Sequence, residues 1–299
     1  MSGRFTVGFI GIGMMGAPMA ACLAAAGWPL RIFDPRAEAL APFAGREGVT
    51  LAASLAEAAA GAALVITMLP DGKIVRAAVL GPDGLASALA PGAVLADMST
   101  SYPLETKALS EALAGTGIGL VDAPVSGGVG RAERGKLTIM AGGERAVIER
   151  IEGALSALGT VYRTGPLGSG HAMKVLNNYL SASGLAAACE AVLIGRRFGL
   201  DPDLMADVFN VSTGRSNATE VKLKQQVNNG KYAAGFTMEL MSKDLRMAAA
   251  LAGDLGVEAK GLAACAELYA RALEVLGGKA DHTEIMKLIE GGDIVNARR

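Results

Sequence analysis

One stretch near the start of the chain decides the fold: Phe5-Thr6-Val7-Gly8-Phe9-Ile10-Gly11-Ile12-Gly13-Met14-Met15-Gly16. Its order is that of a strand, a glycine turn and a helix. In such a turn the first glycine permits the tight bend, the second lets backbone N–H groups approach a pyrophosphate, and the third allows the helix to pack closely on the strand. The helix N-terminus then points at an anion. The sequence therefore predicts a dinucleotide site at Gly11, Ile12, Gly13, Met14, Met15 and Gly16.

A second apolar run strengthens this prediction. Leu30 to Phe33 ends in Asp34, where a doubly wound fold presents an acid to the adenosine ribose. A carboxylate there accepts hydrogen bonds from both ribose hydroxyls and repels a 2'-phosphate, so Asp34 favours NAD as the cofactor. Arg36, two residues further on, is able to reach a 2'-phosphate instead. The sequence therefore favours NAD, and NADP remains an alternative cofactor.

Length and composition suggest two domains and argue against several classes of protein. A chain of 299 residues exceeds the usual size of one domain. Hydrophobic residues make up 51% and aromatic residues only 4%, a composition that favours helix. The formal net charge of -1 and the lack of a dense Lys/Arg block argue against a nucleic-acid partner.

The chain shows no basic leader before its apolar run and no apolar stretch long enough to span a bilayer, so we expect a soluble, cytoplasmic protein without a membrane partner. The cysteines are Cys22, Cys189 and Cys265, an odd and widely spaced set that suits a reducing compartment. With only two histidines, no cluster has the spacing of a metal site, and no metal is predicted.

Two kinds of pattern follow one another along the chain. Up to Val161, short apolar runs alternate with helical stretches, which predicts a mainly parallel sheet covered on both faces. From Gly170 onward only helical periodicity is found. The predicted fold is an α/β chain, with a Rossmann-type doubly wound domain over residues 1–165 and an all-helical domain over 166–299. A long helix joins the two.

Ligands of open α/β sheets bind outside the carboxyl ends of the strands, so the loops that follow strands matter most. The loop Met68-Leu69-Pro70, with Lys73 on the next turn, is placed to pass beneath the adenosine and pyrophosphate. Ser99 and Thr100 either contact the nicotinamide end or cap a helix. The loop Asp122 to Gly128 either forms a small nest for a carboxylate or is an ordinary Pro/Gly loop.

The long helix carries a polar stripe. His171, Lys174, Asn178 and Ser181 are spaced so that they share one helical face. This stripe faces either solvent or a cleft between the domains. The side chains expected to be buried on the other faces are Val175, Leu176, Leu180 and Leu185. Their burial favours the cleft.

Lys174 is the candidate acid/base. Oxidation of an alcohol needs a group that takes the hydroxyl proton, and the reverse reaction needs an acid. The ordinary lysine pKa of about 10.4 is too high for a base near neutrality, so burial or a nearby positive charge must lower it. The oxidised nicotinamide ring would supply such a charge. His171 is the alternative base.

Four blocks of the sequence resemble the β-hydroxyacid dehydrogenase family, which includes 3-hydroxyisobutyrate dehydrogenase and tartronate semialdehyde reductase. The blocks are Gly8 to Met19, Asp122 to Gly128, Gly170 to Asn178, and Lys243-Asp244-Leu245. They occur in the family's order and span nearly the whole chain. Two features depart from the pattern: His171 stands where relatives often have a small or amide residue, and the helical part is too short for 6-phosphogluconate dehydrogenase itself.

The resemblance implies an enzyme that interconverts a small 3-hydroxy acid and its semialdehyde or keto acid with NAD(P). It implies that Lys174 is the acid/base, that Ser126, Gly127 and Gly128 hold the substrate carboxylate, and that Asn178 positions the substrate. It further implies that Thr100 and Lys243 border the nicotinamide end. The helical domain over residues 166–299 would then serve the substrate and oligomerisation, with the chain forming a homodimer or homotetramer. From the residues alone, Lys243 and Asp244 would be a solvated charge pair.

Other functions remain open at this point. One is an NADPH-dependent reductase of aldehydes such as glyoxylate or succinic semialdehyde. Another is a non-catalytic nucleotide-binding domain, against which the intact Lys174 argues; Lys174 also disfavours an imine reductase. The loop Arg215-Ser216-Asn217 either selects the substrate or caps a helix.

Overall fold

The computed structural model of the chain describes residues 4–296. Two compact units divide it at Lys174 and Val175, inside one continuous helix. The domain boundary predicted from the sequence, between residues 165 and 166, lies nine residues before this division, and it stays a prediction.

The strands of the described chain all lie in the first unit. They are β1 (Val7–Ile10), β2 (Leu30–Phe33), β3 (Val49–Leu51), β4 (Leu64–Thr67), β5 (Val94–Asp97), β6 (Gly119–Asp122), β7 (Val125–Ser126), β8 (Leu137–Gly142) and β9 (Gly159–Gly165). The helices of the first unit are α1 (Gly16–Ala25), α2 (Ala37–Leu40), α3 (Leu55–Ala59), α4 (Gly72–Leu80), α5 (Leu85–Ala88), α6 (Pro103–Ala112), α7 (Gly128–Ala132) and α8 (Arg145–Ser156). Helix α9 (Ser169–Phe198) then runs through the boundary.

The strand order is β3-β2-β1-β4-β5-β6-β8-β7, with β9 paired to β8. The first six strands in this order are parallel, whereas β8 runs antiparallel to β6. The run 3-2-1-4-5-6 is the order of a Rossmann fold, in which the direction of winding reverses between β1 and β4. The predicted doubly wound sheet is confirmed.

Alternate residues along the central strands pack in two separate hydrophobic cores, one on each face of the sheet. Phe9 and Ile66 pack in one core with Met19 of α1 and Ile151 of α8. Their strand neighbours Ile10 and Val65 pack in the other core, where Val75 of α4 and Leu109 of α6 are found. Successive strand side chains point to opposite faces, so a strand that is apolar at every position must be covered on both sides.

Hydrogen bonds continue past the strand ends and align the loops that follow. The N–H of Met68 donates to the carbonyl of Ile10 at 2.9 Å, and the N–H of Met98 to Thr67 at 2.9 Å. The N–H of Ala123 donates to Asp97 at 2.7 Å. The loops after β1, β4, β5 and β6 therefore lie side by side at the carboxyl edge of the sheet, where this fold binds ligands.

The second unit is helical over its described residues. It holds the rest of α9 with α10 (Pro202–Asn210), α11 (Met238–Asp254), α12 (Lys260–Leu276) and α13 (Ile285–Asn296), besides a π-helix over Ala218–Val227 and a short 3-10 helix over His282–Glu284. Leu185, Leu245 and Tyr269 are fully buried in it. The predicted all-helical C-terminal part is confirmed.

None of the helices described between residues 4 and 296 combines the length and the apolar character that a membrane crossing requires.

Candidate active site

The glycine turn after β1 has the geometry of a phosphate cradle. Gly11 has φ of +95°, and a Cβ there would lie 2.3 Å from the carbonyl oxygen of Met68. A Cβ on Gly16 would lie 1.9 Å from the carbonyl oxygen of Gly11, so the start of α1 presses against the turn. At Gly13 only the tip of Arg36 comes within 4 Å, at 3.9 Å. The first and third glycines are thus needed for packing, while the second faces open space where a pyrophosphate can approach.

The start of α1 is also open to an anion. Its N-cap is Met15, and within the described chain no side chain caps it. The first backbone N–H groups of a helix lack intrahelical partners, and the helix dipole favours negative charge there. The residues present therefore fit the pyrophosphate of a dinucleotide.

Asp34 is held beside this turn. It is 6% exposed, and its carboxylate accepts the N–H of Ile12 at 2.8 Å. The Arg36 guanidinium forms a two-point ion pair with it, at 3.0 and 3.1 Å. Burial works against ionisation, but the hydrogen bonds from Arg36 and Ile12 and the charge of Arg36 outweigh it and lower the pKa of Asp34. Asp34 is an anionic acceptor at the end of β2.

The loops after β4 and β5 are tied together. Ser99 is buried, and its hydroxyl accepts the N–H of Leu69 at 2.9 Å. The N-cap of the following helix α6 is Tyr102, so Ser99 does not cap that helix. Thr100 and Met68 are half-buried, and Lys73 is exposed on the first turn of α4.

The segment after β6 holds the short strand β7 and then two glycines in positive φ, the second of which begins α7. Gly127 has φ of +133° and Gly128 +67°, conformations that residues with a Cβ rarely adopt. Ser126 is half-buried, while Gly127 and Gly128 are exposed. Backbone and hydroxyl groups of this loop are therefore accessible to a ligand.

Asp122 connects that loop to the start of α9. Its carboxylate accepts the N–H of Gly168 and the N–H of His171, each at 2.8 Å. Such bonds satisfy backbone groups that a helix start leaves unpaired. Burial raises the pKa of Asp122, although His171 and the backbone N–H groups act in the opposite direction. Lys174, one turn further along α9, is 8% exposed.

His171 is fully buried. Nδ1 lies 2.8 Å from the hydroxyl of Thr106, and Nε2 lies 3.2 Å from the carbonyl oxygen of Ser99. Both nitrogens are thus engaged inside the first unit, and the ring presents no accessible surface for a substrate. This burial removes the support for His171 as the alternative base.

In the helical unit, Asp244 brings two predicted site residues together. The side-chain amide of Asn178 donates to Asp244 at 2.6 Å, and Nζ of Lys243 lies 3.6 Å from the same carboxylate. Asn178 and Asp244 are 6% and 1% exposed. The reading of Lys243 and Asp244 as a solvated charge pair is therefore wrong, because α11 places Asp244 in the interior.

The prediction that four apolar side chains of α9 are buried is wrong for two of them. Val175 and Leu185 are fully buried as predicted, but Leu176 and Leu180 are 44% and 68% exposed. Helical periodicity places side chains on faces without saying which faces are covered. The polar residues Lys174 and Asn178 are buried, so the solvent-facing alternative for the stripe is also wrong.

The loop Arg215-Ser216-Asn217 has the contacts of a helix start. Ser216 and Thr219 exchange backbone-to-hydroxyl hydrogen bonds at 2.9 and 3.3 Å. Arg215 forms an ion pair with Glu220 at 2.6 Å. These bonds favour the capping role for the loop.

Sequence reasoning missed the buried acids behind the site, Asp97 and Asp122. Each is the last residue of its strand, and the two are register partners on neighbouring strands. An acid that ends an otherwise apolar buried strand was the available signal. Asp244 lay within a quoted sequence block but was not singled out.

Comparison with known proteins now decides the family. Residues 6–167 match the model for the NAD binding domain of 6-phosphogluconate dehydrogenase, and residues 168–289 match that for the NAD-binding domain of NADP-dependent 3-hydroxyisobutyrate dehydrogenase. The 2-(hydroxymethyl)glutarate dehydrogenase of Eubacterium barkeri is 35% identical, covering 97% of this chain and 96% of its own. The chain belongs to the β-hydroxyacid dehydrogenase family.

Two further relatives agree with this membership. The 3-hydroxyisobutyrate dehydrogenase of Pseudomonas aeruginosa is 36% identical over 96% of this chain and 99% of its own. A solved structure of Mycobacterium tuberculosis 3-hydroxyisobutyrate dehydrogenase with L-serine superposes with a TM-score of 0.87 at 30% identity, covering 96% and 99% of the two chains. This β-hydroxyacid dehydrogenase is an NAD(P)-dependent oxidoreductase that interconverts a hydroxy acid and its semialdehyde.

Proposed function

We propose that this enzyme oxidises a small 3-hydroxy acid of the 3-hydroxyisobutyrate type, with Lys174 as the acid/base. The observation that supports this proposal is that Asp122 accepts two backbone hydrogen bonds from the start of α9. It attaches the helix of Lys174 to the carboxyl edge of the sheet, where the glycine cradle and the Ser126 loop also lie. A cofactor site, an anion-binding loop and a buried amine are the parts that this reaction needs.

Each group has a separate task. Ser126, Gly127 and Gly128 bind the carboxylate of the substrate, and Asn178, oriented by Asp244, fixes the carbon that carries the hydroxyl. Lys174 takes the hydroxyl proton during oxidation and returns it during reduction. When bound, the nicotinamide would supply the hydride acceptor. Thr100 and Lys243 are the residues that would border its ring, and Met68, Leu69, Pro70 and Lys73 those that would line the adenosine and pyrophosphate.

The substrate is identified by a panel of acids. Cofactor reduction is followed with 3-hydroxyisobutyrate, L-serine, threonate, glycerate and 3-hydroxypropionate. Turnover of 3-hydroxyisobutyrate supports the proposal. Turnover confined to the reduction of glyoxylate or succinic semialdehyde with NADPH would favour the aldehyde reductase instead, and no turnover in either direction would favour a binding domain.

We also propose NAD as the preferred cofactor. Asp34 is anionic, nearly buried and adjacent to the glycine turn, so a 2'-phosphate would approach a negative charge. Its partner Arg36 is already paired with it, with a side chain that is 57% exposed. The guanidinium thus moderates the repulsion without removing the acceptor.

Asp34→Ser is expected to lower kcat/KM for NAD about 10- to 100-fold, the value of one or two hydrogen bonds to a charged group. The same variant should raise kcat/KM for NADP, because Arg36 is released from its ion pair. The exposed Glu38→Gln is the matched control and should change neither value. An unchanged NAD:NADP ratio in Asp34→Ser would contradict the assignment.

The exposed apolar face of α9 supports a second proposal, that two copies of the chain associate through it. Leu176, Leu180, Ile194 and Phe198 share one helical face and are 44%, 68%, 70% and 84% exposed. A straight apolar stripe along a single long helix is self-complementary about a two-fold axis, the commonest symmetry of homo-oligomers. Large exposed apolar patches mark such interfaces.

Leu180→Glu combined with Ile194→Glu is expected to convert the oligomer to a monomer, because the charges would be buried without partners. Analytical ultracentrifugation measures the mass. Val257→Glu, an equally apolar position that is 57% exposed and lies after α11, is the control and should keep the wild-type mass. A wild-type chain that sediments as a monomer would refute the interface.

A further inference from the structure

A buried histidine lies between two buried carboxylates in the first unit. Nε2 of His171 is 3.6 Å from Oδ2 of Asp97, and Nδ1 is 3.8 Å from Oδ2 of Asp122. All three side chains are at most 3% exposed. A carbonyl oxygen only accepts, so Nε2–H of His171 donates to Ser99 and the orientation of the ring is defined.

Asp97 extends this cluster to the neighbouring strands. Asp97 accepts the hydroxyl of Thr67 at 2.9 Å, the N–H of Ser99 at 3.0 Å and the hydroxyl of Ser101 at 2.6 Å. Thr67 ends β4, and Ser99 in turn accepts the N–H of Leu69. One connected set of hydrogen bonds therefore joins the ends of β4, β5 and β6 to the first turn of α9.

Stability is a weak reason for such a cluster. Moving charged and polar groups out of water costs free energy that their mutual bonds repay only in part, and apolar replacements are often as stable. What a fully satisfied buried network supplies is a single geometry. Here that geometry concerns the four segments that carry Leu69, Thr100, Ser126 and Lys174.

We propose that His171 is a positioning residue for Lys174 and for the Ser99–Thr100 loop. The ring bonds the loop through Ser99 and α6 through Thr106, while its own backbone N–H is held by Asp122. Lys174 lies three residues further along the same helix, so the position of its amine depends on this attachment. The inference rests on the proposed function, and it assigns no proton transfer to His171.

Two substitutions of His171 separate the effect of its hydrogen bonds from the effect of its volume. His171→Leu fills similar volume without hydrogen bonds and is expected to lower kcat about 100-fold, the cost of misplacing a reacting group by about 1 Å. The KM for substrate and the Kd for NAD should change less than about 3-fold. His171→Gln retains a donor and an acceptor and should recover most of kcat. Equal losses in both variants, or a folded His171→Leu with wild-type kcat, would overturn the proposal.

Hydrogen–deuterium exchange gives a readout that does not depend on turnover. In His171→Leu, peptides covering residues 97–102 and 168–174 should exchange faster together, while peptides from β1 and α1 keep wild-type rates. Faster exchange throughout the first unit would mean a general loss of stability and would contradict a positioning role.

Two milder substitutions, both at Thr106, test the proposal if His171→Leu does not fold. Thr106→Val removes the partner of Nδ1 together with the hydroxyl's bond to the carbonyl oxygen of Tyr102 on the same helix turn. It should lower kcat about 10-fold, the equivalent of one hydrogen bond, with Thr106→Ser as the rescue. Wild-type kcat and exchange in Thr106→Val would count against the proposal.

The outcome is distinguishable from failure of the proposed function. If Lys174→Ala retained turnover, the acid/base assignment would fail, whereas the paired exchange of the two segments would still test the attachment. In a Lys174→Ala background, His171→Leu should cost much less than 100-fold, because the group it positions is absent. The same 100-fold loss in both backgrounds would show that His171 acts independently of Lys174.

Discussion

Lys174→Ala is expected to lower kcat by about 10³- to 10⁴-fold, the upper range for loss of a general acid/base. Lys174 is 8% exposed, and α9 carries no other lysine that could replace it. Cofactor binding should remain, because the glycine turn and Asp34 lie elsewhere in the chain. Steady-state rates and NAD titration by fluorescence measure the two effects.

The control for this substitution is Lys136→Ala. Lys136 is exposed in the same unit, and its removal should leave kcat within about 2-fold, as for most surface changes. Retained turnover in Lys174→Ala would exclude the acid/base role. Loss of NAD binding together with turnover would instead indicate that Lys174 supports the structure of the cofactor site.

Gly16→Ala is expected to lower the free energy of unfolding by about 3 kcal/mol, at the upper end of overpacking effects. The added Cβ would lie 1.9 Å from the carbonyl oxygen of Gly11, a backbone atom that cannot rotate away. Either α1 must move from the sheet or the turn must open. Chemical denaturation measures the loss, and NAD binding should fall with it.

Gly13→Ala is the matched variant in the same turn. Its Cβ would meet only the end of Arg36, at 3.9 Å, so stability should stay within about 0.5 kcal/mol of wild type. The methyl group would nevertheless stand where the pyrophosphate approaches and should weaken NAD binding at least about 10-fold. Wild-type affinity in Gly13→Ala would mean that the pyrophosphate does not approach there.

Much of the first unit was predictable from local pattern. The strands of the sheet centre are apolar at nearly every position, which requires cover on both faces, and Gly11 to Gly16 with Asp34 define the first β-α-β unit. The fold class and the family prediction are confirmed, because these signals depend on residues that are close in sequence. The roles of Lys174, Ser126 and the other site residues stay predictions.

The buried polar contacts were not predictable in the same way. His171 and Asp97 are far apart in sequence, as are Asn178 and Asp244, and nothing local to either partner indicates the other. Whether a polar side chain is a solvated surface group or a buried one depends on which face its helix covers. For the same reason periodicity alone did not show that Leu176 and Leu180 are exposed.

The sequence by itself determined the nucleotide-binding turn, the doubly wound sheet, the helical second part and the family, because backbone conformation and hydrophobic periodicity are properties of short segments. The tertiary structure alone decided that His171 is a buried link, that Asp122 holds the start of α9, and that Asp244 orients Asn178. Those facts follow from long-range packing, in which burial turns a polar side chain into a fixed hydrogen-bonding partner.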